Sequence, residues 1–309
     1  MKVGFIGLGT MGQKIALNAV KGGHDLVVND LAKQLAEPLL QAGATWADTP
    51  AGVTAGADAV MMSLPGPQEF EAVTLGESGL IETIQPGQIV CDLTTNSPTV
   101  VRRVAEKFAE KGAYLMDAPV SGGPAGAATG KMAIWVGGDK AAYDKVLPLL
   151  QSVSDQPKYI GDVGSGSIAK LVHNLTGYLL HAATAETFTM GVKAGLDAES
   201  LWEAVRQGAL GRRLIFDAMT LQYLPGRFDP PDFALKLARK DVSLACEVGR
   251  DFDVPMRLSH MVLQEMTEAI NRGWGDRDSR SMMLLQEERA GVEVRVDQER
   301  IDEVLGKKS

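Results

Sequence analysis

Cysteine is nearly absent: Cys91 and Cys246 are the only two in 309 residues. A pair so far apart in sequence gives no disulfide framework and no clustered thiol motif. Both read as reduced core residues, which suits a cytoplasmic enzyme. Histidine is scarce as well. His24, His173, His181 and His260 are the four present, and none has ligand spacing to a cysteine or a carboxylate pair, so no metal is expected. Basic clusters are missing too. Lysine and arginine total 31 against 39 acidic residues, for a net charge of −8. That balance, with no positive stripe, speaks against nucleic acid and anionic membrane as partners. No apolar run approaches a bilayer span. Lys2 is followed at once by a strand pattern, where a signal peptide would place a longer apolar stretch. There is no internal repeat and no low-complexity tract. What remains is ordinary globular material, 45% hydrophobic and 23% charged, long enough for two domains and able to bury a large core without staples.

The first half alternates short apolar runs with helical stretches. "KVGFIG" (Lys2–Gly7), "DLVVND" (Asp25–Asp30), "DAVMMSLP" (Asp58–Pro65), "QIVCDLT" (Gln88–Thr94) and "AYLMDAPV" (Ala113–Val120) read as strands. They alternate little, as expected where both faces of a sheet are covered. "KMAIWVGG" (Lys131–Gly138) and "PKYIGDVG" (Pro157–Gly164) read as later strands of the same sheet. Helical segments such as Met11–Lys21 and Thr99–Lys111 lie between them. This order predicts a doubly wound parallel α/β sheet of the Rossmann type.

After Gly164 the pattern changes and no convincing strand follows. Ser167–Gly195 holds no proline and predicts one long helix. Asp197 then caps a helix that Gly208 stops, and another runs through "FALKLARKDVSLACEVGRDF" before Pro255. The boundary is placed near residue 163: a dinucleotide-binding domain over 1–163, then an all-helical domain over 164–309 that opens with the long helix. The tail from Gln286 is polar with alternating charge, and exposure is expected for it.

"GLGTMG" (Gly7, Leu8, Gly9, Thr10, Met11, Gly12) follows the first strand and opens a helix. In that setting G-x-G-x-x-G is a strong dinucleotide signal. Gly7 permits the turn, Gly9 lets a pyrophosphate approach the backbone, and Gly12 lets helix and sheet pack. The helix N-terminus behind them favours an anion. Asp30 ends the second strand, where a carboxylate meets ribose hydroxyls and repels a 2′-phosphate. With Leu31 next to it, where an arginine would favour the phosphate, NAD is preferred over NADP, although Lys33 is close.

"GSGSIAKLVHN" (Gly164–Asn174) carries one lysine among small and apolar residues. At about 100° per residue, Ile168, Leu171, Val172, Leu175 and Leu179 share one broad face. Lys170, Asn174, Gly177 and His181 fall opposite. Lys170 and Asn174 are therefore neighbours one turn apart, with open space beside them at Gly177. A surface lysine usually has acidic partners one turn away, and Ser167–Ala185 contains none. "DAPVSGGPAGAATGKM" (Asp117–Met132) reads as a loop of small residues whose backbone N–H groups can meet a carboxylate or phosphate.

Together these motifs resemble the β-hydroxyacid dehydrogenase family, over the chain up to about residue 285. "GLGTMG" resembles its cofactor fingerprint and "DAPVSGGPAGAATG" its substrate signature. "GSGSIAKLVHN" is similar to its catalytic signature, G-x-G-x-x-x-K-x-x-N-N, and "FALKLARKDVSLA" to its second cofactor-proximal signature. The resemblance implies a Rossmann domain followed by a helical one, NAD or NADP as cofactor, and a homodimer or homotetramer. It implies Lys170 as the catalytic lysine and Asn174 near the reacting hydroxyl, with Ser121, Gly122 and Gly123 on the substrate carboxylate. Thr95 would contact the nicotinamide ribose, Leu64 and Pro65 would flank the cofactor, and Lys240 would act from the second domain. The substrate implied is a small hydroxy acid or its semialdehyde, of the 3-hydroxyisobutyrate type.

Two departures stand out. His173 replaces the first asparagine of the N-N pair, and "KLVHN" resembles 6-phosphogluconate dehydrogenase, whose substrate is larger and phosphorylated and whose helical domain is much longer. Lys131 replaces a threonine after the glycine loop, while Arg212 and Arg213 add positive charge that a second acidic group could meet, helix-surface solvation being their plainer role. The expected chemistry is hydride transfer with Lys170 moving the proton. An ordinary lysine ionises at about 10.4, so a basic role calls for a lowered value. A competing class, a non-catalytic nucleotide-binding interaction protein, would keep the glycine fingerprint and lose the lysine or the glycine loop.

Overall fold

The computed structural model describes residues 1–208, 211, 216–253 and 255–306. The chain forms two compact units, Met1–His173 and Asn174–Ser309.

In the first unit the strands are β1 (Lys2–Ile6), β2 (Asp25–Asn29), β3 (Thr45–Trp46), β4 (Ala59–Met62), β5 (Ile89–Asp92), β6 (Tyr114–Asp117), β7 (Val120–Ser121), β8 (Ala133–Gly137) and β9 (Gln156–Gly161). They make one sheet in the order β3-β2-β1-β4-β5-β6-β8-β7, with β9 on β8. The helices are α1 (Gly12–Lys21), α2 (Glu37–Gln41), α3 (Pro67–Leu75), α4 (Pro98–Glu110), α5 (Gly123–Thr129) and α6 (Lys140–Val153). The doubly wound parallel sheet predicted from the alternation is present, with one departure: β8 runs antiparallel to β6 and β7. β7 and β8 are joined by the short α5, too little chain for the crossover that parallel neighbours need.

Successive strand residues bury on opposite faces, which explains the continuous apolar runs. Ala59 and Met61 of β4 join Val3, Phe5 and Ile15 in one core layer. Val60 and Met62 join Ile6, Val90 and Phe108 in the other. Cys91 and Cys246 are free and buried. Burial beside Asp92 pushes the Cys91 thiol up to about 12, which leaves it inert.

The long helix α7 spans Ser165–Lys193, and the division between the units falls inside it. The second unit adds α8 (Ala198–Gln207), α9 (Leu235–Asp251), α10 (Arg257–Asn271), α11 (Leu284–Ala290) and α12 (Gln298–Val304). Asp197 caps α8 as the sequence predicts, accepting from Ser200 N at 2.9 Å. Among the described residues after Gly164, extended pairing is limited to one bridge, Ala234 to Asp278. The expectation of an exposed tail is overturned. Val294, Val296 and Ile301 are buried in the helical core beside Trp202 and Tyr223, and Val296 N donates to Leu224 O at 3.0 Å. The charges misled because a local pattern does not show their partners: the half-buried Arg295 pairs at 2.7 Å with Glu287, which is itself buried.

Candidate active site

β1 ends at Ile6 and α1 begins at Gly12, so Gly7–Met11 form the turn between them. Gly7 has φ +86, and a Cβ there would stand 2.3 Å from Ser63 O. A Cβ on Gly12 would stand 1.9 Å from Gly7 O, so helix and strand close only over a hydrogen atom. A Cβ on Gly9 would meet nothing within 4 Å. Leu8 is buried, Met11 half-buried, and Gly9 and Thr10 face outward. Asp30 braces this turn: Oδ2 accepts from Leu8 N at 2.6 Å and Oδ1 from Ala32 N at 2.8 Å. Space over Gly9, a helix N-terminus behind it and a carboxylate at the end of β2 make a cradle that fits a dinucleotide.

β1, β4, β5 and β6 run parallel as neighbours, so their carboxyl ends share one edge, where such sheets bind ligands. Leu64 and Pro65 follow β4 there, half-buried and exposed respectively. Leu64 Cδ2 would touch a Cβ on Gly7 at 3.1 Å. Leu64 N donates to Thr94 Oγ1 at 3.0 Å, linking this segment to the one that holds Thr95. Asp92, fully buried at the end of β5, organises that second segment. It accepts from Thr94 N at 3.1 Å and from Asn96 Nδ2 at 2.9 Å. Burial outweighs those bonds and pushes its carboxyl up to about 7, with the charge of Asp117 adding to the effect.

Ser121 ends β7, and Gly122 and Gly123 start α5 at the surface. Part of the ligand-facing loop of small residues expected over this stretch is a helix, from Gly123 to Thr129. Its small residues let it lie flat on α1, where Asn18 Nδ2 donates to Ala127 O at 2.8 Å. Most of its amides therefore serve the helix, and only those of its first turn lack an acceptor within it. Ser121 Oγ lies 3.5 Å from His173 Nε2 on α7. The His173 ring packs against Trp135 with centroids 5.3 Å apart.

Lys170 is half-buried on α7, one turn before His173. Two wheel assignments on this helix are corrected. Val172, placed on the apolar face, is 61% exposed. It lies 100° round from the buried Leu171, past the edge of the stripe. His181, placed on the open face with Lys170, has its Nδ1 sealed from solvent. Burial, aided by the Arg280 charge, lowers its ionisation to about 3, so the ring is neutral. Gly177 does border open space: a Cβ there meets nothing within 4 Å.

In the second unit Asn174 Nδ2 donates to Asp241 Oδ2 at 2.6 Å. Lys240 Nζ lies 2.8 Å from Asp241 Oδ1. Asp241 is thus buried between an amide and an ammonium, which offsets its desolvation. Arg212 and Arg213 lie outside the described residues. Among the described residues no group of three His, Cys, Asp or Glu side chains is placed to hold a metal ion, and no helix is long and apolar enough to cross a membrane.

Three carboxylates central to this geometry were given no role in the sequence reading: Asp92, Asp117 and Asp241. A signal existed for the first two. Each is a lone carboxylate closing a wholly apolar strand, "IVCD" and "YLMD", and carboxylates are depleted from strands and costly to bury.

Comparison with known proteins agrees with this geometry. Residues 2–161 match the model of the NAD-binding domain of 6-phosphogluconate dehydrogenase. Residues 164–285 match that of NADP-dependent 3-hydroxyisobutyrate dehydrogenase. The 2-(hydroxymethyl)glutarate dehydrogenase of Eubacterium barkeri is 32% identical over 294 residues, covering 95% of this chain and 97% of that one. The 2-hydroxy-3-oxopropionate reductase of Escherichia coli is 32% identical over 250 residues, 81% of this chain and 85% of that one. The crystal structure of a 3-hydroxyisobutyrate dehydrogenase from Salmonella typhimurium superposes with a TM-score of 0.81 at 27% identity, over 92% of this chain and 99% of that one. The chain belongs to the β-hydroxyacid dehydrogenase family, NAD(P)-dependent oxidoreductases of 3-hydroxy acids.

Proposed function

We propose that this enzyme interconverts a small 3-hydroxy acid of the 3-hydroxyisobutyrate type and its semialdehyde, with Lys170 as the general acid–base group. The observation that carries the reading is the origin of α7. Its first turn is bonded to the end of β6 through Asp117. Lys170 therefore rises from the same sheet edge as Gly7, Leu64, Thr95 and Ser121. Bound nicotinamide supplies the hydride acceptor in one direction and the donor in the other. In oxidation the Lys170 amine takes the hydroxyl proton, and in reduction its ammonium returns a proton to the carbonyl oxygen. Asn174, held by Asp241, orients the reacting oxygen without adding charge. Ser121, Gly122 and Gly123 hold the substrate carboxylate and fix which carbon is presented.

On the cofactor side, Gly7–Gly12 receive the pyrophosphate, Asp30 the ribose hydroxyls and Thr95 the second ribose, with Leu64 and Pro65 flanking them. The family resemblance assigns Lys240 to the cofactor as well. NAD is the preferred cofactor. The Asp30 carboxylate opposes a 2′-phosphate, and the fully exposed Leu31 beside it offers no countercharge. Lys33, the nearby cation, sits over the Trp46 ring at 5.2 Å. Residues 1–163 would act as the cofactor domain and 164–309 as the substrate and assembly domain, in a cytoplasmic homodimer or homotetramer.

One observation favours a larger acid. His173 beside Ser121 adds a second polar group at the carboxylate end, as a polyhydroxy, phosphorylated or dicarboxylic substrate would use. The relative from Eubacterium barkeri is named for a dicarboxylate. The test is a panel of short hydroxy acids, 2-(hydroxymethyl)glutarate and phosphorylated sugar acids, followed by nicotinamide absorbance with NAD and with NADP. Lys170→Met is run in parallel. The expected result is turnover of a short 3-hydroxy acid, cut about 10²–10⁴-fold in the variant while NAD still quenches tryptophan fluorescence. Near-native turnover in the variant refutes the role of Lys170, and turnover restricted to phosphorylated acids refutes the substrate class.

A further inference from the structure

Asp117 closes β6 and is wholly buried. Both carboxylate oxygens are taken by the start of α7: Oδ1 accepts from Gly164 N at 2.7 Å and Oδ2 from Ser167 N at 2.6 Å. First-turn amides have no acceptor within their own helix, and a carboxylate placed there also faces the positive end of the helix dipole. The surroundings leave this joint no slack. A Cβ on Gly137 would stand 2.6 Å from Asp117 Oδ1, and one on Gly166 would stand 2.6 Å from Asp117 O and 3.1 Å from Oδ2. Arg102 closes the same corner, with Nε donating to Val163 O at 3.0 Å.

Lys170 follows Ser167 by three residues, just under one turn. An amine reaching roughly 8 Å from the helix axis moves about 1.4 Å for every 10° that the helix rotates. A misplacement near 1 Å is enough to cost about 10²-fold in rate. A serine or asparagine would cap a helix start at far lower desolvation cost. What the two-point carboxylate adds is a fixed height and a fixed rotation.

We propose that Asp117 is a positioning residue for Lys170: by gripping the Gly164 and Ser167 amides it locks the rotation of α7 and so the place of the amine. This rests on Lys170 being the acid–base group. Asp117 itself meets neither substrate nor cofactor in this role and acts through the helix start.

Asp117→Asn keeps the shape but turns an N–H₂ group towards a backbone N–H. The variant is expected to fold, with faster amide hydrogen exchange over residues 164–170 and unchanged exchange in β1 and α1. Its kcat should fall by about 10- to 100-fold, with KM for NAD within about twofold. The primary deuterium isotope effect on kcat should rise, because a displaced amine slows the chemical step alone. Native kcat and isotope effect would overturn the proposal. So would a loss that only tracks the folded fraction with the isotope effect unmoved, the signature of a structural role. Should the asparagine variant fail to fold, Asp117→Ser, which leaves one acceptor oxygen, carries the same test. An inactive Lys170→Met beside a native-like Asp117→Asn refutes the positioning role alone. A native Lys170→Met refutes the reading beneath it.

Discussion

Gly166, the second glycine of "GSGSIAK", gives the sharpest test of how tightly the lysine helix is seated. An alanine methyl there would stand 2.3 Å from Trp135 O and 2.6 Å from Asp117 O, both backbone atoms that no rotamer change can move. Ordinary contact begins near 3.4 Å, so the helix start must retreat by roughly 1 Å from the end of β6 and the middle of β8. Overpacking of this kind costs about 1–3 kcal/mol, or a fall in Tm of about 2–4 °C per kcal/mol for a unit of this size. The same displacement predicts a loss of about 10²-fold in kcat, far more than the stability change would suggest. Gly177 on the same helix is the control. Its methyl would meet nothing within 4 Å, so alanine there should stabilise the protein by up to about 1 kcal/mol through helix propensity. Thermal melts and steady-state kinetics on both variants decide the matter. A Gly166→Ala enzyme with native Tm and kcat would show that α7 is not held against the sheet as described.

Two other outcomes follow from the same geometry. Ile301 is buried in α12, so Ile301→Ala should lose about 2–4 kcal/mol in urea unfolding, and a loss below about 0.5 kcal/mol would return the tail to the exposed state its charges suggest. Asp92 ionises near 7 in the folded protein, above its ordinary 3.8. The folded state therefore keeps a proton that the unfolded chain has released, and this group's contribution to stability declines as pH rises between about 4 and 7, then levels off. Melts across that window should show a steeper decline for the native enzyme than for Asp92→Asn, whereas equal slopes would contradict the raised ionisation of this buried carboxylate.

Much of the molecule was legible in the order of its residues. Strands covered on both faces need continuous apolar runs, so "DAVMMSLP" and "QIVCDLT" could be recognised from composition. The Gly7–Gly12 turn was equally plain, because only glycine tolerates φ +86 at Gly7 and a carbonyl 1.9 Å from the Cβ position of Gly12. Lys170 stood out because no other lysine, arginine or acid lies between Ser165 and Ala185. Local rules reached these because each depends on neighbours along the chain. Tertiary structure decided the rest. Val172 and His181 exchanged their expected environments because a helix wheel fixes angles and says nothing of what packs against them. The alternating charges of the tail concealed Val294, Val296 and Ile301, whose burial depends on Trp202 and Tyr223 far away in sequence. Asp117 and Gly164 are 47 residues apart, and Asn174 and Asp241 are 67 apart. The value of a buried carboxylate lies wholly in the donors that the fold brings to it, and no local pattern names a partner at such a distance.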